Sequence, residues 1–199
     1  FLNGALNSTS PATLLTTTFA ITGTSPNGCE STGTVTVTVV DDVAPVVAAG
    51  TCPTDISVGA DAGICGAVVT YSPPTFDDNC DGAGLSGTLV DGLASGEIFP
   101  AGITTMKYVY EDAAGNASDT CFFDVTVTDN QAPTAICQPF SVELDENGLA
   151  SISVDDIDNG SNDNCGLDTM WLDITSFDCT ILGDNTVTLT IRDNSGLAD

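Results

Sequence analysis

The residues of this sequence best able to do chemistry are carboxylates in short loops, and they occur in two sets. The first set comprises Asp41, Asp42 and the segments DDNC (77–80) and EDAAGN (111–116). The second comprises Asp129, Asn130 and the segments NDNC (162–165) and RDNSGL (192–197). Because Ca²⁺ takes roughly six to eight oxygen ligands, many from Asp and Asn, each set predicts a Ca²⁺ site. The alternative is a solvated acidic face, which is common in highly charged secreted proteins.

The composition excludes several other kinds of chemistry. The 199 residues include 28 acidic and 2 basic side chains and no His, for a formal net charge of −26. Without His there is no Ser-His-Asp or Cys-His catalysis and no His-bound zinc, and we expect no enzyme. Two basic residues cannot form a phosphate-binding surface, so nucleic acid is excluded as a partner. No apolar run approaches ~20 residues, so we expect no membrane insertion.

The acidic sets belong to an internal repeat. VTVTVVDDVAP (35–45) recurs as DVTVTDNQAP (124–133), with the Ala-Pro pair displaced by 88 residues. DDNC recurs as NDNC with a displacement of 85, which is also the separation of Cys52 and Cys137. Landmarks in constant order at nearly constant spacing indicate a tandem array. The period suits an independently folded sandwich domain of about 100 residues or slightly fewer.

The landmarks predict three parts. Residues 1–43 contain the C-terminal strands of a preceding repeat, 44–130 a complete repeat, and 131–199 a third repeat without its last strand. The simplest interpretation is a segment of a longer array. The alternative is a fibre subunit that exchanges strands, in which the leading strands of another copy complete the last repeat head to tail. The partners expected are therefore neighbouring repeats of the same or an identical chain, and possibly a homopolymer.

Alternating apolar and polar residues predict strands rather than helices. In 121–127 the residues Cys121, Phe123, Val125 and Val127 share one face. The same phase predicts that Val35, Val37 and Val39 point inward in the first repeat. In the strand before this one, Met106, Tyr108 and Tyr110 are predicted to point inward. Val187, Leu189 and Ile191 show the same alternation in the third repeat. Short strands separated by Gly, Pro, Asn and Asp predict an all-β chain of tandem antiparallel sandwiches.

The middle repeat resembles the hyalin repeat (HYR), an Ig-like extracellular module. The residues that carry the resemblance are CPTDISV (52–58), CGAVVTYSPPTFDDNC (65–80) and SGEIFPAGITTMKYVYEDAAGNASDTCFFDVTVTD (95–129). The third segment resembles the variant repeats that follow such modules in long surface adhesins of gliding bacteria. The resemblance implies tandem Ig-like domains in a structural or adhesive role at the cell surface.

In an Ig-like sandwich, the loop after the second strand and the loop before the last strand face the preceding linker. The first interdomain joint is therefore expected to gather Asp41, Asp42, Asp77, Asp78 and Asp112. The second is expected to gather Asp129, Asn130, Asp163, Asn164 and Asp193. Bound Ca²⁺ would stiffen both joints, as in the similar cadherin arrangement. A separate, EF-like candidate loop at 155–163 contains Asp156, Asp158 and Asp163, but Gly160 stands where a ligand belongs.

The eight cysteines lack a Cys-x-x-Cys pair, so they predict disulfides in an oxidising compartment. The parallel first and last strands of the resembled fold, and the cysteines that its two-cysteine members keep, imply the pair Cys52–Cys121. Cys165–Cys179 is then the natural pair of the third repeat, and Cys65–Cys80 follows by elimination. By the same logic Cys29 and Cys137 are expected to have partners outside the sequence.

The predicted function is a structural segment of an extracellular, disulfide-stapled stalk, filament or adhesin at the cell surface. A ligand- or glycan-binding adhesin domain is the alternative, and its ligand is unknown. Trp171 is expected in or beside the core, with a sugar-stacking platform as its other interpretation. DTM (168–170) fits the O-glycosylation signal of such bacteria and makes Thr169 a candidate glycan site.

Overall fold

A computed structural model describes residues 15–199, and the regular secondary structure in this range is almost entirely β-strand. The predicted all-β fold is therefore confirmed. One helix of a single turn interrupts it, α1 (Val154–Ile157), which begins after Ser153 with a reciprocal capping box to Asp156. Within the described range no helix is long and apolar enough to cross a membrane.

The middle of the chain forms three sheets. The first has the strand order β4 (Ile56–Gly59), β11 (Cys121–Thr128), β10 (Gly102–Val109), β8 (Thr88–Asp91), with β4 and β11 parallel. The second contains β3 (Val46–Val47), β6 (Thr75–Asp78) and β7 (Gly82–Ser86), and the third pairs β5 (Gly66–Val68) with β9 (Ile98–Pro100).

Residues beyond 131 form two antiparallel ribbons. The strands β12 (Leu149–Ser151) and β14 (Ser176–Asp178) pair in one, and β13 (Leu167–Leu172) and β15 (Leu189–Asp193) pair in the other. A core of buried aliphatic side chains lies against both ribbons. It consists of Ile152, Ile157, Leu172, Leu189 and Ile191.

The density of contacts divides the chain into two compact units. Among the described residues, the first contains 15–54, 71–95 and 105–124; the second contains 55–70, 96–104 and 125–199. Strands β10 and β11 run from one unit into the other along the chain. In the first unit the phenyl ring of Phe123 packs edge-on against Tyr71, with ring centroids 5.2 Å apart.

The alternation predicted for β11 holds along the whole strand. Cys121, Phe123, Val125 and Val127 are buried, and Met106 and Tyr108 of β10 are buried as well. A strand in a sandwich buries one face, so period-two patterning is a direct consequence of the second layer above it.

The same pattern fails at the start of the described range. β1 (Leu15–Thr24) and β2 (Glu30–Val39) form a two-stranded antiparallel hairpin. Val35, Val37 and Val39 of β2 are 42%, 44% and 56% exposed. The prediction that they point inward is wrong, because no second layer covers this hairpin within residues 16–199.

Candidate functional site: two acidic clusters

Three carboxylates from separate parts of the chain meet in the second unit. Asp129 directly follows β11, Asp163 lies in the loop before β13, and Asp193 is the last residue of β15. One carboxylate oxygen from each lies within 4.8 Å of the other two. Asp129 is 7% exposed and Asp193 only 1%. We call these residues, with Asn164 and Cys165, the second cluster.

Backbone groups hold each carboxylate in place through one of its oxygens. Asp193 Oδ1 accepts hydrogen bonds from the amides of Ser195 and Leu197, both at 2.8 Å. Asp163 Oδ2 accepts one from the Cys165 amide at 2.6 Å. The loop after Asp193 turns at Gly196, whose φ of +87° strongly favours glycine. Such loops fix the direction of the carboxylates before any ligand arrives.

The remaining oxygens of two of these carboxylates are buried without a partner. Asp163 Oδ1 and Asp193 Oδ2 accept no hydrogen bond from any residue that the structure describes. Asp129 differs, because its Oδ1 accepts from the Gln131 amide at 3.2 Å and its Oδ2 from the Ser195 hydroxyl at 3.0 Å. A buried anionic oxygen without a donor is costly, so this arrangement is suited to a cation.

Both basic side chains of the protein are engaged elsewhere. Lys107 forms an ion pair with Asp91, 3.2 Å apart, and both side chains are well exposed. The guanidinium of Arg192 lies 5.8 Å from the ring centroid of Trp171, in a cation–π contact. Within the described residues, the three carboxylates of the second cluster form no ion pair with Lys107 or Arg192.

Residues of the first unit form an analogous but different arrangement. Asp41 and Asp78 approach the thiol of Cys80, with one ligand atom from each within 4.8 Å of the others. Asp41 Oδ2 and Asp78 Oδ1 lack hydrogen-bond partners among the described residues. We call these three residues, with Asn79, Asp81 and Asp112, the first cluster.

Asp112 is the member of the first cluster that corresponds to Asp193, yet it is fully hydrogen-bonded. Its Oδ1 accepts from the amides of Ala114 and Asn116, and its Oδ2 from the Asn116 side chain at 2.8 Å. Burial raises the pKa of the Asp112 carboxyl, but the hydrogen bonds from Asn116, Ala114 and Gly115 outweigh it and hold the pKa below its ordinary value. The Asn116 amide thus occupies the oxygen that is free in Asp193.

Asp81 is a member of the first cluster that was left out of the predicted ligands. Its Oδ2 accepts from the Tyr110 hydroxyl at 3.1 Å and from the Ala113 amide at 3.2 Å. The pKa of Tyr110 is raised mainly by desolvation and secondly by its hydrogen bond with Asp81. Asp81 Oδ1 is buried and unpaired within the described range. The signal was present in the sequence, because Asp81 directly follows the DDNC segment.

Several predicted ligands lie outside the two groups of converging ligand atoms. Asp42 and Asn130 are exposed, and Asp77 Oδ1 accepts from the Gly84 amide at 2.9 Å within the β6–β7 turn. The EF-like loop is not assembled: Asp156 bonds the Ser153 amide and hydroxyl, and Asp158 bonds the Gly160 and Ser161 amides. The bonds from the Ser153 amide and hydroxyl lower the pKa of the Asp156 carboxyl, and those from the Ser161 hydroxyl and amide lower the pKa of the Asp158 carboxyl. Each carboxylate therefore serves local backbone, and only Asp163 joins a cluster.

Two disulfides are present, and one of them overturns the predicted pairing. Cys52 is joined to Cys121, the pair that the resemblance implied, with their Cα atoms 5.7 Å apart. Cys65 is joined to Cys165, with a Cα separation of 4.6 Å. The predicted pairs Cys65–Cys80 and Cys165–Cys179 are therefore wrong, and Cys80 and Cys179 are free thiols.

The physical reason is a clamp between the loop 61–65 and residues that follow β11. Asn164 donates to the Ile64 carbonyl at 3.1 Å. Gln131 donates to the Asp61 carbonyl at 3.0 Å and accepts from the Gly63 amide at 2.7 Å. These bonds bring Cys65 beside Cys165 although 100 residues separate them in sequence. The predicted pairs joined cysteines of the same repeat, whereas Cys65 and Cys165 lie in different predicted repeats.

The other candidate residues lie on the β13–β15 ribbon. Thr169 is exposed on β13, and its glycosylation stays a prediction. Trp171 is 42% exposed, so it lies at the surface and not in the core. Its contact with Arg192 occupies one side of the ring.

Comparison with known proteins relates the chain to one family. The family model described as the HYR domain matches residues 40–127. A protein named hyalin from Lytechinus variegatus is 35% identical over 133 residues, which are 65% of this chain and 24% of the relative. A hyalin from Strongylocentrotus purpuratus is 30% identical over 197 residues, 95% of this chain and 16% of the relative. The chain thus spans less than a quarter of the length of either relative. No solved structure gave a significant match.

Proposed function

Because residues 40–127 belong to the HYR domain family, we propose that this chain is a non-enzymatic segment of an extracellular, adhesion-related protein. Its role is to extend and display neighbouring repeats, as a stalk or filament at the cell surface. Ca²⁺ bound at the acidic clusters stiffens the segment, and the second cluster is the principal site. Disulfides are stable in such an oxidising compartment, and two are present.

The observation that carries the Ca²⁺ proposal is the pair of buried oxygens that accept no hydrogen bond. Asp163 Oδ1 and Asp193 Oδ2 are unpaired within the described residues, and they belong to a group whose ligand atoms converge within 4.8 Å. Carboxylate oxygens are the preferred ligands of this hard cation. Asp129, Asp163 and Asp193 supply the first three, and backbone or water oxygens complete the shell.

Electrostatics gives the binding its driving force. Two ionised carboxylates with oxygens within 4.8 Å of each other repel by roughly 3 kcal/mol or more at an effective dielectric constant of about 20. A divalent cation converts this repulsion into attraction among elements that are distant in sequence. Since Asp129 follows β11 while Asp163 and Asp193 lie in the third predicted repeat, one bound ion fastens the linker to that repeat.

Calorimetric titration of Ca²⁺ into chelator-stripped protein tests the proposal. Asp193→Asn preserves the size of the side chain but removes its charge and places an amide among the ligands, so we expect the strongest binding event to disappear. The matched control is Asp168→Asn, which makes the same charge change at an exposed residue of β13 and should leave that event intact. Equal Ca²⁺ binding by both variants, or none by the unaltered protein, would contradict the site.

A specific observation also favours strand exchange as a second candidate function. The row of Val35, Val37 and Val39 is exposed on β2, whereas Val125 and Val127 in the related β11 are buried. A groove of about 500 Å³ in the second unit has apolar lining that includes Phe140, Val142, Ile181 and Leu182. In this candidate, β2 of a second copy covers the groove through the period-two pattern that β11 uses in the middle repeat.

Light scattering coupled to gel filtration tests this candidate. Strand exchange predicts oligomers that grow with protein concentration and that are lost in Val37→Asp. The control Thr36→Asp places the same charge on the opposite face of β2 and should not dissociate them. A monomer at all concentrations excludes strand exchange and leaves the Ca²⁺ proposal unaffected.

A further inference from the structure

The two clusters contain copies of one short motif with nearly identical hydrogen bonds. In the first, Asp78 Oδ2 accepts from the Cys80 amide at 2.7 Å. In the second, Asp163 Oδ2 accepts from the Cys165 amide at 2.6 Å. The backbone of both cysteines is therefore fixed in the same way.

The asparagine before each cysteine repeats the match. The Asn79 amide group lies 3.4 Å from Asp41 Oδ1 and 3.4 Å from the Cys80 sulfur. The Asn164 amide group lies 3.5 Å from Asp129 Oδ1 and 3.5 Å from the Cys165 sulfur. The Asp-Asn-Cys motif (78–80 and 163–165) therefore makes the same contacts in both clusters, including the one with the preceding linker aspartate.

The motifs differ in what they are attached to. Cys165 is bonded to Cys65, and Asn164 also donates to the carbonyl of Ile64 beside that cysteine. Cys80 is an exposed free thiol, although its surroundings are built like those of Cys165. The bonded copy shows which ligand the motif accepts, namely a cysteine on a loop that offers the preceding carbonyl.

We propose that Cys80 is the attachment point of a disulfide cross-link to another repeat, formed with the cysteine of a loop like 61–65. Asn79 receives the carbonyl that precedes this cysteine, as Asn164 receives that of Ile64. The cross-link goes beyond the proposed function, because it needs no Ca²⁺. Successive repeats are then linked covalently as well as through the chain.

The bond forms by thiol–disulfide exchange with a low-molecular-weight disulfide as the oxidant. The loop cysteine first forms a mixed disulfide with one half of the oxidant, and the other half leaves as a thiol. The Cys80 thiolate then attacks the sulfur of the loop cysteine. The second half of the oxidant leaves as a thiolate and takes up the proton that Cys80 gave to solvent, so two protein thiols are oxidised and one small disulfide is reduced.

Selectivity for Cys80 must come from docking rather than from reactivity. The hydrogen bond with Asp41, desolvation and the charges of Asp41, Asp78 and Asp81 raise the pKa of the Cys80 thiol. A raised pKa lowers the thiolate fraction, which slows exchange with reagents that do not dock. At the first cluster, Val43 stands at the position of Gln131. Its side chain cannot make the hydrogen bonds that Gln131 makes with the loop 61–65. Asn79 is therefore the main contact expected for the incoming loop.

A peptide covering residues 59–67, activated at Cys65 as its mixed disulfide with glutathione, provides the probe. It is incubated with the complete 199-residue protein, and mass spectrometry measures how much peptide is attached to each free cysteine. Cys29, Cys137 and Cys179 are free and exposed, so they serve as internal controls. A peptide of the same composition in reversed order is the reference for reactivity without docking.

The proposal predicts that the ratio of label at Cys80 to label at the three control cysteines is about tenfold higher with the native peptide than with the reversed one, which corresponds to roughly 1.4 kcal/mol of docking. Asn79→Ala, at an exposed position, should remove this preference while both native disulfides persist. The same ratio for the two peptides would overturn the proposal. A preference that Asn79→Ala leaves unchanged would overturn the role of Asn79 and with it the docking geometry.

Discussion

The first and second clusters descend from one sequence pattern but present different chemistry. Asp112 and Asp193 occupy equivalent places, and both bind the amides of their own loop through Oδ1. The side chain of Asn116 donates a hydrogen bond to the second oxygen of Asp112. Leu197 stands at the equivalent position, and its side chain has no hydrogen-bond donor. Asp193 Oδ2 is therefore unpaired within the described part of the chain. One side chain thus decides whether the second oxygen of this carboxylate receives a hydrogen bond.

The same comparison separates two ways of holding a loop. In the second cluster the loop 61–65 is held by Gln131, by Asn164 and by the Cys65–Cys165 bond. In the first cluster the motif keeps its own geometry, and Cys80 is a free thiol. The second cluster is therefore the more preorganised one, and it should bind a cation more tightly because less ordering remains to be done on binding.

The largest expected effect comes from removing the bond that distinguishes the two clusters. Replacing both Cys65 and Cys165 by Ser opens a closure between residues 100 apart in sequence, which contributes about 4.7 kcal/mol in the chain-entropy model. Denaturant unfolding should show a loss of this order, and calorimetry should show weaker Ca²⁺ binding. Cys179→Ser, at a free and exposed thiol outside both clusters, is the control and should change neither. No difference between these variants would show that the bond does not organise the cluster.

Placing an asparagine at position 197, as at position 116, should give Asp193 the hydrogen bond that Asp112 has. In Leu197→Asn, the new amide donates to Asp193 Oδ2 and competes with the cation. We expect the dissociation constant for Ca²⁺ to rise about tenfold or more, since a hydrogen bond to a charged group contributes roughly 1.5 kcal/mol. Leu197→Ala removes the apolar side chain without adding a donor and should bind more tightly than Leu197→Asn. The same affinity in both variants would contradict competition by the amide.

The first cluster should show its hydrogen bonds in the pH dependence of stability. The pKa of Asp112 is held below its ordinary value, so its stabilisation is present above that ordinary value, about 3.9, and is lost as the pH falls through the lower folded value. In Asn116→Leu, burial remains while two donated bonds are weakened or lost, and the pKa should rise. Carboxyl NMR titration measures this directly. An unchanged pKa in Asn116→Leu would exclude Asn116 as its cause.

The smallest effect is expected at predicted ligands outside the converging groups. Asp42 is exposed, and Asp42→Asn should change the free energy of unfolding by no more than about 0.5 kcal/mol. The affinity for Ca²⁺ should likewise be unchanged in calorimetry. A large loss of Ca²⁺ binding in this variant would mean that the first cluster extends to the linker surface.

Repeats and alternation were enough to predict the β-fold, and the resemblance to an Ig-like sandwich predicted the convergence of Asp129, Asp163 and Asp193. They succeeded because a sandwich fixes which loops share one end. They failed at Val35, Val37 and Val39, since periodicity identifies an apolar face but not the layer that covers it. The difference between Asn116 and Leu197 was visible when the two loops were aligned, yet its meaning depends on which oxygen the amide reaches.

The disulfides show a further limit of the sequence. Cys52–Cys121 was implied by the resemblance to the HYR fold, whereas Cys65–Cys165 depends on contacts made across 100 residues. Spacing alone does not predict that Asn164 reaches the Ile64 carbonyl. Only the folded backbone brings these loops together.

Anomalous X-ray diffraction from crystals grown in millimolar Ca²⁺ tests most directly whether the second cluster binds this cation. We predict an anomalous peak among Asp129, Asp163 and Asp193, roughly 2.3 to 2.6 Å from their carboxylate oxygens, with any peak at the first cluster weaker. No peak at the second cluster, with the three carboxylates turned to solvent or bound only to water, would contradict the assignment of this cluster as the principal Ca²⁺ site.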